Sequence, residues 1–145
     1  MALRPEDLVG TWELEVFEVE LADGRRVFPM GADARGSLMY TEDGRMSATL
    51  SAAERAPLSV PRLEAFARAP SSEKAAAFDS YLAYVGRYTV EPGAVVHHVE
   101  LASVPNIVGA NQRRDATLEA DHLTLRYAVD GDRGSRHNTL RWRRS

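Results

Sequence analysis

Between Gly10 and Leu21 apolar and polar residues alternate, and the same two-residue period returns in one short segment after another, each closed by a turn. Period two is the spacing of a strand with one face in an apolar core and the other in water, because successive side chains point to opposite faces. Trp12, Leu14 and Val16 share one face of the first segment; Thr11, Glu13 and Glu15 share the other. The phase slips at Val16-Phe17, after which Phe17, Val19 and Leu21 form the apolar set, and a bulge or strong bend accounts for the slip. Ala22 to Arg25 reads as a turn in which Gly24 supplies a positive φ, followed by a short strand from Arg26 to Phe28 that ends at Pro29. Strands at 37–41 and 45–50 flank Glu42-Asp43-Gly44, and Asp-Gly is a strong hairpin signal. Further strands fall at 86–91, 94–101, 112–118, 122–127 and 137–143. About nine or ten short, evenly spaced strands joined by tight turns describe an antiparallel meander, and closure into a barrel removes its exposed edges.

One stretch breaks the pattern. Val60, Leu63, Phe66 and Ala67 follow helical spacing, as do Ala75, Phe78 and Leu82 after a Pro70-Ser71-Ser72 start signal. Two short helices over about residues 58–83 are expected, acting either as a lid that gates the barrel or as a plug that completes its core.

With 145 residues the chain has the size of one domain, expected over 1–145. It contains no cysteine, which excludes a disulfide scaffold, a thiolate metal site and a cysteine nucleophile together. A net charge of -3 gives no reason to expect nucleic acid as a partner. No apolar run approaches the roughly 20 residues that span a bilayer, and the first residues lack the apolar core of a signal peptide, so no membrane partner and a cytoplasmic location are expected. The four histidines form no metal-binding pattern, and no metal or cofactor is expected.

Three sets of residues resemble known motifs. Leu8-Val9-Gly10-Thr11-Trp12 resembles the Gly-x-Trp opening of calycin barrels. The run from Gly36 to Ser47 is similar to the second signature of the bacterial and fungal lipocalin-like domain family. His97-His98-Val99-Glu100, Pro105-Asn106, Gln112 and Arg114 are similar to its third. The resemblance covers roughly residues 8 to 143 and departs at Ile107, where the family usually has an aromatic residue after Asn106. It implies an all-β, antiparallel up-and-down, lipocalin-like β-barrel with a short helical insertion and a ligand cavity. It also implies that Trp12 closes one barrel end beneath an arginine of the last strand, for which Arg141 and Arg143 are the candidates. Such barrels include carriers as well as cyclases and isomerases, and fold alone does not choose between them.

His98 and Glu100 lie two apart on one strand and so share a face. If the loop around Asn106 joins an antiparallel pair, Glu100 stands near Gln112 and His98 near Arg114, and four polar groups converge. The opposing consideration is that charged residues at alternating strand positions ordinarily face water, and Val95, Val99 and Leu101 make the other face the more apolar one. His97 takes whichever face His98 does not. If the cluster is internal, His98 and Glu100 form a candidate acid–base pair, and Arg114 can anchor a carboxylate or carbonyl with no turnover. The candidate ligand-contacting set is Tyr40, Met46, Tyr88, His98, Glu100, Asn106, Gln112 and Arg114; Tyr81 and Tyr84 are further tyrosines able to line a cavity. The expected function is binding of a small hydrophobic molecule with a polar handle, by a monomer or homodimer. The alternative is a cofactor-free isomerase, cyclase or dehydratase working through His98 and Glu100.

Overall fold

The computed structural model describes residues 2–145. A one-turn helix α1 (Pro5–Leu8) leads into β1 (Gly10–Glu20) and the short β2 (Arg26–Val27). The hairpin β3 (Arg35–Tyr40) and β4 (Arg45–Ser51) follows, then a 3-10 helix (Leu63–Arg68) and α2 (Ser71–Asp79). The chain returns to strands with β5 (Tyr81–Glu91), β6 (Ala94–Ala102), a 3-10 turn (Pro105–Ile107), β7 (Asn111–Glu119), β8 (His122–Gly131) and β9 (Gly134–Arg144). Every neighbour pair from β3 to β9 is antiparallel, β1 pairs with β3, and β9 returns to β1. The result is a closed, eight-stranded up-and-down barrel, with β2 attached to β1 as an outer arm. Closure pairs the backbone groups that an open sheet leaves at its edges. No helix among the described residues is long and apolar enough to cross a membrane.

The alternating pattern becomes burial directly. In β1, Trp12, Leu14, Phe17 and Val19 are buried while Glu13 and Glu15 face out. The phase slip is a bulge at Glu15, where pairing with β9 jumps from Leu14 to Val16, one residue ahead of the position the alternation suggests. Gly24 has the expected positive φ, 86°. The helical interlude is shorter than its spacing suggests: α2 stops at Asp79, and Leu82 belongs to β5, paired with Leu50. Leu82 completes a helical stripe with Ala75 and Phe78 by number, but it is the first inward-facing position of a strand.

One end of the barrel is sealed. Trp12 is fully buried and donates its indole N–H to the Leu8 carbonyl at 2.9 Å. Arg144 lies over the indole, 4.1 Å from the ring centroid, and donates to the carbonyls of Val9 (2.9 Å) and Asp7 (2.7 Å). The capping arginine is therefore Arg144, not Arg141 or Arg143. Those two alternate onto the outer face, where they pair with Glu15 and Glu13. Tyr40, Met46 and Tyr88 belong to the packed core at this end; Tyr88 donates to the Thr41 carbonyl at 2.8 Å and meets Tyr40 edge-on at 4.7 Å.

Two irregularities position the chemistry. Pairing between β5 and β6 shifts between Val85 and Gly86, so that Glu100 is an extra residue in β6. The bulge brings the His98 carbonyl so close that a Cβ at position 86 would stand 1.9 Å from its oxygen, and only glycine fits. On β6, Val95, His97 and Val99 consequently face the core, whereas Glu100 and Leu101 both face out. The second irregularity is the β6–β7 connection. The Val99 N–H donates to the Ala110 carbonyl and the Gly109 N–H to the Val99 carbonyl, which places His98 opposite Asn111 and His97 opposite Gln112.

Candidate functional site

The open end lies where β4 leaves for the helical insertion and where the Pro105–Ile107 turn joins β6 to β7. A cavity of about 250 Å³ runs inward from it. Phe17, Leu38, Leu50, Leu125 and Leu140 supply its apolar wall, with Ala48 leaving space on β4. Leu82, Val104 and Ile107 line it from the elements that form the mouth. Ile107 is the departure from the resembled motif, and it is part of the cavity wall. The volume falls just under the roughly 300–1,000 Å³ of drug-sized sites. A larger depression of about 340 Å³ beside Glu54, Arg55 and Glu73 lies on the outer surface and shares no residue with the cavity.

The polar groups of the wall come from β5, β6, β7 and β8. His97 is 1% exposed and held at both ring nitrogens: the Tyr40 oxygen lies 2.7 Å from Nε2 and the Tyr84 oxygen 2.7 Å from Nδ1. In either tautomer one nitrogen accepts from a tyrosine hydroxyl and the other donates to the second hydroxyl oxygen. Burial, with the nearby Arg114 and His98 charges adding to it, pulls the His97 pKa down to about 3. Burial also pushes Tyr84 up to about 12 against the opposing pull of Arg114, and raises Tyr40 and Tyr127. The trio is a neutral hydrogen-bonded chain at ordinary pH.

Arg114 is part-buried in the cavity wall. Its guanidinium donates to the Gln112 side-chain oxygen at 2.8 Å and to the Arg113 carbonyl at 3.2 Å, and stacks 3.7 Å from the Tyr127 ring centroid. These contacts fix the plane of the fork while leaving donors unspent. Trp142 completes the wall.

The candidate residues therefore divide. Gln112 and Arg114 line the cavity. Tyr40 reaches it through His97, whereas Met46 and Tyr88 are packed below it without lining it. Asn106 is exposed, next to Ile107. His98 and Glu100 do not join Gln112 and Arg114. His98 turns outward, within 2.9 Å of the Thr89 hydroxyl and 2.8 Å of the Asn111 side-chain oxygen. Glu100 pairs with Arg45 at 3.1 Å and Arg87 at 3.6 Å on the outer face. The simple antiparallel register that joins Glu100 to Gln112 is three residues away from the observed one, and an odd offset exchanges the two faces. His97, Tyr84 and Tyr127 are the polar residues that the four-residue cluster leaves out. The signal for His97 is a lone histidine between Val95 and Val99, the more apolar face of its strand.

A barrel covered at one end, with an apolar cavity entered from the other and a few fixed polar groups on one side, is the architecture of small ligand-holding barrels. The chain belongs to the lipocalin-like domain family, whose pattern matches residues 9–145. It is similar to the 4'-hydroxy-3'-methoxypropiophenone carrier protein of Aspergillus oryzae, at 38% identity over 68 residues, covering 41% of this chain and 61% of that protein. The chain thus spans about three-fifths of the length of that relative. No solved structure matches it.

Proposed function

We propose that the protein binds one small, largely apolar molecule inside the barrel, with the polar handle of that molecule at Arg114 and Gln112. The observation that carries this reading is the cavity itself: about 250 Å³, apolar on most of its wall, with the Arg114–Gln112 pair set into one side. Its size favours a molecule of one or two rings over a drug-sized one. The similarity to a protein named as a carrier of an aryl ketone supports binding without turnover. The alternative acid–base reading through His98 and Glu100 draws no support from the geometry, since both side chains are engaged on the outer face.

The test is a fluorescence titration with 4'-hydroxy-3'-methoxypropiophenone, using Trp142 in the cavity wall as reporter. Saturable one-to-one quenching is expected, and Ala48→Phe, which fills the cavity from β4, should abolish it while circular dichroism still reports the barrel. Failure of both this ketone and an apolar dye such as 1-anilinonaphthalene-8-sulfonate to bind the wild-type barrel would overturn the reading.

A further inference from the structure

We propose that the cavity takes its ligand as an oxyanion, held between the Arg114 guanidinium and the Tyr84 hydroxyl; this rests on the cavity being the binding site. Among the residues lining the cavity, Arg114 carries the one formal charge, and no Asp or Glu is present to offset it. Carboxylates around the barrel pair with other arginines on the outer face: Glu91 and Asp115 with Arg113, Glu100 with Arg45 and Arg87, and Glu13 and Glu15 with Arg143 and Arg141. The contacts of Arg114 are neutral, namely an amide oxygen, a backbone carbonyl and a tyrosine ring. The tyrosines of the cavity do not supply the missing negative charge, because burial raises Tyr84 and Tyr127 away from ionisation, and a neutral His97 has none to give.

A guanidinium facing an apolar-walled space without a counter-ion favours any ligand that brings one. The attraction is stronger there than in water, and the planar fork matches two oxygens or one oxygen flanked by donors. Tyr84 supplies the second point of contact. Tyr84 and Arg114 line the same cavity, and His97 Nδ1 lies at hydrogen-bond distance from the Tyr84 oxygen. In the tautomer with the proton on Nδ1, His97 donates to the Tyr84 oxygen and accepts from Tyr40 at Nε2. The Tyr84 O–H is then free to donate into the cavity. An oxyanion beside Arg114 selects that tautomer, so Tyr40 and His97 act as positioning residues that aim the Tyr84 proton. The ligand class is a small apolar carboxylate, or a phenol or enol acidic enough to bind ionised.

Isothermal titration calorimetry of the full chain at neutral pH with 4-propylbenzoate and its neutral near-isostere 4-propylbenzamide separates the possibilities. The benzoate should bind at least ~30-fold more tightly, about 2 kcal/mol. Arg114→Gln should bring the two within about threefold by weakening the benzoate alone, and Tyr84→Phe should lose part of the preference, because a charge-assisted bond is about twice as strong as a neutral one. Equal affinity of the two probes for the wild-type protein overturns the oxyanion site and leaves the cavity reading intact. Binding of neither probe overturns both. The wild-type ratio decides the matter even if Arg114→Gln fails to fold.

Discussion

His97 can gain a proton only by giving up the acceptor bond at one ring nitrogen and placing a cation near Arg114 inside the barrel. Its folded pKa, about 3, lies below the ordinary histidine value of 6.5. The unfolded chain therefore binds the proton first as pH falls. The stability contributed by the neutral ring is complete above pH ~6.5 and drains away as pH drops toward ~3, by roughly 3 kcal/mol between pH 7 and pH 4. Urea unfolding across that range should show the slope in the wild type and a flatter one in His97→Gln, which keeps hydrogen-bonding capacity without a titrating ring. A variant as steep as the wild type would place the proton uptake elsewhere. At the sealed end, Arg144 combines two carbonyl contacts with the Trp12 stacking. Arg144→Ala should cost about 2–4 kcal/mol in urea denaturation, from the lost charged hydrogen bonds and the cation–π contact. Arg141→Ala, which breaks only an outer pair with Glu15, should stay within about 1 kcal/mol.

At the scale of the element, the β6 bulge sets which histidine faces the cavity. Gly86→Ala forces a methyl group into the His98 carbonyl and should destabilise by roughly 3 kcal/mol or displace the bulge. Thermal unfolding measures the first outcome, and loss of the ligand-dependent fluorescence change at Trp142 detects the second. Most strands were legible in the sequence because they carry a period-two signal and turn residues of their own, as Asp43-Gly44 does between β3 and β4; the start of β5 at Tyr81–Val85 was not, because Leu82 also fits a helical stripe. The register across residues 103–110 was not. It depends on an extra residue at Glu100 and on a 3-10 turn at Pro105, and neither leaves a periodic trace. Gln112 and Arg114 alternate onto the inner face of β7 by their own spacing, independently of how β6 pairs with them. Of the two roles expected for the helical insertion, the plug in the core is not what forms: Ala69 is the one buried residue from 53 to 79, it stands outside the main core cluster, and none of that stretch borders the cavity. Replacing residues 58–78 with a short Gly-Ser linker should leave the thermal midpoint within a few degrees of the wild type and the ligand affinity within about threefold. A drop of more than 10 °C would show that the insertion supports the barrel.

For the whole molecule, closure of β9 on β1 joins the first and last strands along eight registered residue pairs, and Ser145 adds a backbone bond to Thr11. That seam, with Trp12 and Arg144 beneath it, closes the end of the barrel opposite the mouth of the cavity. The consequence is kinetic. A site with one opening has no second route by which an incoming molecule can push out a resident one, so replacement has to pass through an empty barrel. In a stopped-flow chase, the rate at which a bound fluorescent probe departs should equal its spontaneous off-rate and stay constant as the competitor is raised a hundredfold. A rate that climbs with competitor concentration would mean that the barrel opens somewhere besides its mouth. With exchange limited by that spontaneous departure, residence time, set by how tightly the cavity grips its guest, is the quantity through which the sequence governs when the guest leaves.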